Sequence, residues 1–229
     1  MAKPRTLEEF VNWLDWRRRN DYDNVIVITG EEGYGKSNLA LAIAVALDGD
    51  DFDPSRVIFN TEEWHQGLTA NLHRRGLTWM LDEGGNLGLS WEWSSGEGRA
   101  LVKILQQARI LNSTMLWAIP NFRWLNVYMR DHRVIARLTM LKRGVARISY
   151  RERSPTTEEV WFEPGPIITA PNIKTENPCL WRTYQSRKEA SVPTQITKLT
   201  GDVANRREAK SKAGVQAEIA RLEGKKRIS

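Results

Sequence analysis

The segment from Val25 to Leu47 constrains this chain more than any other. It opens with an unbroken β-branched run, Val25-Ile26-Val27-Ile28-Thr29. Apolar side chains on consecutive residues predict a strand buried on both faces, because neighbours in a strand point to opposite sides. Gly30-Glu31-Glu32-Gly33-Tyr34-Gly35-Lys36-Ser37 follows, and Lys36 to Leu47 then reads as a helix rich in Ala and Leu. The eight-residue stretch fits G-x-x-x-x-G-K-[ST] without a mismatch. At a background glycine usage of about 7%, a chance match in a chain this long is roughly a 1% event. The physics accounts for each position. Gly30, Gly33 and Gly35 permit backbone angles that turn successive N–H groups inward. Those donors, with the amides of Glu31, Glu32, Tyr34 and Asn38 at the mouth of the next helix, form an anion cradle. Lys36 brings a point charge to the β- and γ-phosphates, and Ser37 offers a hydroxyl to magnesium.

A second element completes that chemistry. Leu77-Thr78-Trp79-Met80-Leu81 predicts a strand that ends at Asp82-Glu83. One strand and one helix downstream of the loop, Asp82 is placed to join Ser37 in a Mg2+ shell. Glu83 is then the general base that orients and deprotonates water. The adjacent carboxylates point to hydrolysis of ATP rather than storage of a nucleotide. Taken alone, a strand-end carboxylate pair also serves to cap the next loop.

Around these motifs strands alternate with helices, which predicts an α/β fold with a mainly parallel sheet between helices. Thr6-Leu7-Glu8-Glu9 has capping-box spacing and opens an amphipathic helix to about Arg19. Arg56–Asn60 predicts a second strand, and Thr61 to about Arg75 a second helix closed by Gly76. Gly98 to Leu111 predicts a helix, Ser113–Ile119 a strand, and Phe122–Arg130 a short helix. Val134–Leu141 and Val145–Tyr150 flank Lys142-Arg143-Gly144 as a hairpin, and Val160-Trp161-Phe162 adds a strand. The expected organisation is an N-terminal helix over 1–20, a P-loop core over 21–150, a β extension over 151–185 and a basic tail over 186–229. The tail is expected to be mobile or partner-dependent, with a helix from Val203 to Leu222.

Charge is unevenly spread. The chain carries a net +6. Residues 1–100 hold 10 Lys/Arg against 17 Asp/Glu, whereas residues 101–150 hold 9 against 1. The tail over 186–229 adds 11 against 5. Two basic blocks downstream of the nucleotide motifs fit a polyanionic partner. They equally fit a solvated surface balanced by the acidic N-terminal half. No run approaches the roughly 18 apolar residues of a membrane span. The N-terminus shows no secretory signal, so a cytoplasmic setting is expected. The single Cys179 excludes an internal disulfide and is expected to be buried and inert. His65, His73 and His132 lack metal spacing and are expected to be structural or exposed.

The stretch Lys103–Asn112, followed by Met115-Leu116-Trp117-Ala118-Ile119-Pro120, resembles the region after the acidic motif in FtsK/HerA-type motor ATPases. It is more similar still to their viral and mobile-element relatives, the packaging and zonular-occludens-toxin-like ATPases. Shared features are a Trp-bearing loop after the acidic pair (Trp91), a Gln-x-x-Arg helix end (Gln106 to Arg109), a strand ending in Pro120, and the stretch Arg130-Asp131-His132-Arg133. The resemblance spans about Val25 to Tyr150. It implies a RecA-like P-loop NTPase and a homo-oligomeric ring acting on double-stranded DNA, in a host cytoplasm if the source is viral. It also implies that Arg109 reaches a neighbouring subunit's γ-phosphate as an arginine finger, with Arg130, Arg133 and Arg137 as rivals. An ordinary solvated helix-end arginine is the alternative. One departure stands out. Such proteins carry a polar sensor before the Pro, and this chain has Ile119, with Asn121 as a substitute from the other side. Trp91 and Trp93 either stack on bases, pack at a subunit contact or pin their loop. A nucleotide-dependent assembly or export factor is the competing class, and a small-molecule kinase a third.

Overall fold

The computed structural model describes residues 3–82 and 109–192. The chain forms two compact units, Met1–Tyr184 and Gln185–Ser229. In the first, helix α1 (Leu7–Arg19) leads to strand β1 (Asn24–Thr29) and helix α2 (Lys36–Asp48). Strand β2 (Val57–Ile58), helix α3 (Thr61–Ala70) and strand β3 (Thr78–Leu81) follow. Then come β4 (Thr114–Ala118), β5 (Ala136–Lys142), β6 (Val145–Arg153), β7 (Val160–Thr169) and the short helix α4 (Ile173–Glu176). Residues 178–184 are helical as well. In the second unit the described residues, 185–192, are helical, and the Ser191 hydroxyl donates to the Lys188 carbonyl at 2.7 Å.

The described strands form one mixed sheet in the order β2-β3-β4-β1-β5-β6-β7. The first five run parallel, and β6 and β7 join antiparallel. Strand β4 therefore lies between β1 and β3, although both of those precede it in the chain. The hairpin over Lys142–Gly144 forms as the sequence predicts, with Gly144 at φ 75°.

Both faces of the parallel part are covered, as the β-branched run of β1 requires. Ile26 and Ile28 pack with Met80 and Leu116 on the side of α1 and α2. Val25 and Val27 pack with Trp79, Leu81, Met115 and Trp117 on the side of α3. Helix α2 has no polar stripe from Leu39 to Ala44, and all six of those residues are buried. An all-apolar helix of this kind must be covered all round. Here the sheet lies on one side, and Phe10 and Leu14 of α1 pack in the same cluster. Thr6 caps α1 by accepting from the Glu9 amide at 3.1 Å.

Several element boundaries differ from expectation. Strand β2 is two residues long because Asn60 is diverted to cap α3, accepting from the Glu63 amide at 2.9 Å while the Glu63 carboxylate accepts from the Phe59 amide. Helix α3 stops at Ala70, not near Arg75. Asn71 turns its amide onto the Gly67 carbonyl at 2.8 Å and closes the last turn. The helix expected over 122–130 is instead a 3-10 turn, Phe122–Trp124, and a π-helical turn, Met129–Arg133. Cys179 is exposed, contrary to expectation. Leu180 and Tyr184, four residues apart, form the buried stripe of their helix, and Cys179 faces away from it. His65, His73 and His132 are exposed. Among the described residues no helix is long and apolar enough to cross a membrane. Of the helix expected over 98–111, residues 109–111 form a 3-10 turn and 98–108 lie outside the described residues, as do Trp91, Trp93 and the tail beyond 192.

One buried ion network holds the end of α2 to the sheet. Asp48 Oδ1 accepts from Arg18 at 2.7 Å and from the Thr78 hydroxyl at 2.8 Å. Its Oδ2 accepts from Arg56 at 2.6 Å and from the Thr78 amide at 3.0 Å. Four donors thus meet one carboxylate, and the Asp48 and Arg56 side chains are 4% and 3% exposed. Asp48→Asn would leave two guanidinium groups facing an amide. The expected loss is about 3–5 kcal/mol, since a buried pair broken on one side strands a charge. Thermal denaturation should show the midpoint falling by about 10 °C. A variant melting within about 2 °C of the parent would mean the charges are not coupled to folding.

Candidate functional site

The loop between β1 and α2 takes the shape its glycines were expected to allow. Gly30, Gly33 and Gly35 have φ of 142°, 79° and 90°. Gly30 is also pressed against β5, since a Cβ there would stand 2.7 Å from the Cβ of Met140. No larger residue fits that seat without moving the loop or the strand. The loop is exposed at Glu31, Glu32 and Gly33 and half-buried from Tyr34 to Asn38. The Tyr34 phenol is held above its ordinary pKa by a hydrogen bond with the Glu31 carboxylate, and further by that charge.

Lys36 folds back across the loop. Its Nζ donates to the carbonyls of Gly30 at 2.8 Å and Glu31 at 2.9 Å. The ammonium is thus held against the loop backbone. Ser37, at the first turn of α2, donates through Oγ to Asp82 Oδ1 at 2.7 Å. Asp82 follows β3, is 1% exposed, and has its own amide on the Ile58 carbonyl at 3.0 Å. Residues 45 positions apart thus meet. A serine hydroxyl and a carboxylate are hard oxygen donors, the set that suits Mg2+, an ion that keeps several waters and takes few protein ligands. A hydroxyl both donates and accepts. Ser37 can therefore bond to Asp82 and still offer an oxygen lone pair to a cation. Glu83, the expected base, lies outside the described residues.

Two contacts at this site were not foreseen. The Tyr184 hydroxyl donates to Asp82 Oδ2 at 2.6 Å. Asn38, expected only to contribute its amide, reaches the chain after β7. Its Nδ2 donates to the Pro171 carbonyl at 2.6 Å and its Oδ1 accepts from the Ile173 amide at 2.9 Å. Neither Tyr184 nor residues 171–173 carries a motif, so nothing in their local sequence signals the contact.

The expected cations lie in different places. Arg109 is exposed, at the start of a 3-10 turn before β4. Arg133 forms a partly buried ion pair with Asp23. Arg137 sits on β5 beside β1, its Nε donating to Thr29 Oγ1 at 3.3 Å and its guanidinium 5.0 Å from the Phe122 ring centre. Burial lowers its pKa from the usual arginine value. Arg130 is half-buried. Lys142 and Arg143 are exposed at a hairpin tip that borders the loop, with the Gly144 amide on the Tyr34 carbonyl at 3.3 Å. Ile119 is buried just after β4, and Asn121 Oδ1 accepts from the Arg123 amide at 2.9 Å, capping the turn that follows.

No family model and no curated protein matches the chain. Solved structures do give matches. A chain of the E. coli MS115-1 HORMA:CdnC:Trip13 complex aligns with TM-score 0.41 and 16% identity, over 58% of this chain and 60% of that one. The N-terminal domain of zonular occludens toxin from Neisseria meningitidis aligns with TM-score 0.42 and 13% identity, over 68% of this chain and 98% of that domain. This chain thus spans about three-fifths of the E. coli chain. At such values neither likeness decides a function.

Proposed function

We propose that this chain is an ATP-hydrolysing P-loop motor of the FtsK/HerA type, with a RecA-like core, acting as an oligomer that translocates or packages DNA. The observation that carries the nucleotide part is the Ser37–Asp82 contact at 2.7 Å beside a lysine poised over a glycine loop. A loop serine beside a strand-end aspartate supports this reading because it offers the hard oxygens that Mg2+ takes. The strand order, with β4 inserted between the loop strand and the acidic strand, supports the RecA-like reading.

In this reading the Gly30–Asn38 amides and Lys36 bind the ATP phosphates. Ser37 and Asp82 would hold Mg2+, which when bound neutralises charge on the β- and γ-phosphates. Glu83 orients the attacking water and accepts its proton, giving ADP and phosphate. Arg109, exposed ahead of β4, is available to a neighbouring subunit in a closed ring. The charge of 101–150, 9 Lys/Arg against 1 Asp/Glu, supports a DNA partner.

The test is ATP turnover with and without double-stranded DNA, alongside light scattering. DNA should stimulate turnover several-fold, the effect should weaken as salt rises, and the protein should run as a discrete oligomer. Turnover indifferent to DNA in a strict monomer would sink the motor and leave a nucleotide-dependent assembly or export factor.

A further inference from the structure

We infer that Tyr184 is a positioning residue for the magnesium seat, so that the segment after β7 completes the nucleotide site; this rests on the reading of Ser37 and Asp82 as the Mg2+ ligands.

Asp82 is held from both sides. Ser37 donates to Oδ1 at 2.7 Å and Tyr184 to Oδ2 at 2.6 Å. One donor leaves a carboxylate able to rotate about its Cβ–Cγ bond, whereas two donors on opposite oxygens fix its plane. Mg2+ demands near-octahedral geometry at about 2.0–2.1 Å, so the plane of the ligand decides how well the ion is held. Partners of metal-binding carboxylates typically affect metal affinity by about 10–100-fold.

The tyrosine is itself well seated. Its ring stacks near Phe59, with centres 6.4 Å apart at 28°, and lies 5.3 Å from Trp181. At 2% exposed it is sealed from solvent, and a buried tyrosine hydroxyl needs a partner. The partner here is the strand-end carboxylate beside the loop. The same segment is anchored a second time at the loop itself. Asn38, next to Ser37, is bound on both its side-chain atoms by Pro171 and Ile173. Residues 171–184 therefore touch the start of α2 and the end of β3 at once. Those are the two elements that carry the magnesium ligands.

The experiment uses the full chain, a fluorescent ATP analogue and Mg2+ alone as the varied component. Tyr184→Phe keeps the ring and removes only the hydroxyl. The Mg2+ concentration for half-maximal nucleotide binding should rise about tenfold. Nucleotide binding in EDTA should stay at the parent's level, which also confirms a folded loop. Phe59→Leu disturbs the seat of the ring and leaves the hydroxyl, and should move the Mg2+ midpoint less than threefold. A Tyr184→Phe midpoint within twofold of the parent overturns the inference. So does an equal shift in Phe59→Leu, which would make the effect one of packing. If the unmodified chain shows no Mg2+-dependent nucleotide binding, the underlying reading of Ser37 and Asp82 falls, and this inference with it.

Discussion

Lys36→Ala is expected to weaken ATP binding by more than 100-fold. The Lys36 ammonium already spans the loop, donating to the Gly30 and Glu31 carbonyls. These contacts hold the charge at the loop. Hydrogen bonds from an ionised donor are worth about 1.5–3 kcal/mol each. Losing two to phosphate oxygens is therefore worth about 3 kcal/mol or more, which is over two decades in Kd. Lys36→Arg should not restore binding, because a planar guanidinium cannot take the place of a compact ammonium in a closed loop. The fold should survive, since the two carbonyls released lie at a half-exposed loop. Calorimetric titration with ATP reads the effect. An affinity within threefold of the parent would remove Lys36 from the phosphate site.

Glu83→Gln should separate binding from chemistry. The amide is close to the carboxylate in shape, so ATP and Mg2+ should bind as in the parent. Glutamine does not accept the water proton, and loss of a general base costs about 10²–10⁴ in rate. Phosphate release in a single turnover is the measurement, because it isolates hydrolysis from product release. A rate within fivefold of the parent would move the base elsewhere. Asp82→Asn should behave differently, since Asp82 is joined to Ser37 and Tyr184. Its defect should appear in the Mg2+ dependence of binding, not only in the rate.

Much of this was legible in the chain because the signals are local. The run Val25–Thr29 announces a strand covered on both faces, and that is how β1 sits. Three glycines within six residues announce a loop at positive φ, and all three adopt it. Thr6 and Glu9 announce the start of α1, and the Thr6 oxygen accepts the Glu9 amide. At two boundaries a polar side chain competes for the backbone. Asn60 ended β2 early and Asn71 ended α3 early. Such competition depends on which hydrogen bonds the rest of the fold has already taken, and a window of sequence does not contain that information.

By itself the sequence determined the glycine loop, its flanking strand and helix, and the strand that ends at Asp82. Each follows from side-chain size, periodicity and backbone freedom within a few residues. The tertiary structure alone decided that β4 separates β1 from β3, that Asp48 gathers Arg18, Arg56 and Thr78, and that Cys179 faces solvent. It alone brought Tyr184 to Asp82, across 102 residues. Contacts of that span are set by chain topology and by which hydroxyl can reach a buried carboxylate. Neither is encoded in any local pattern.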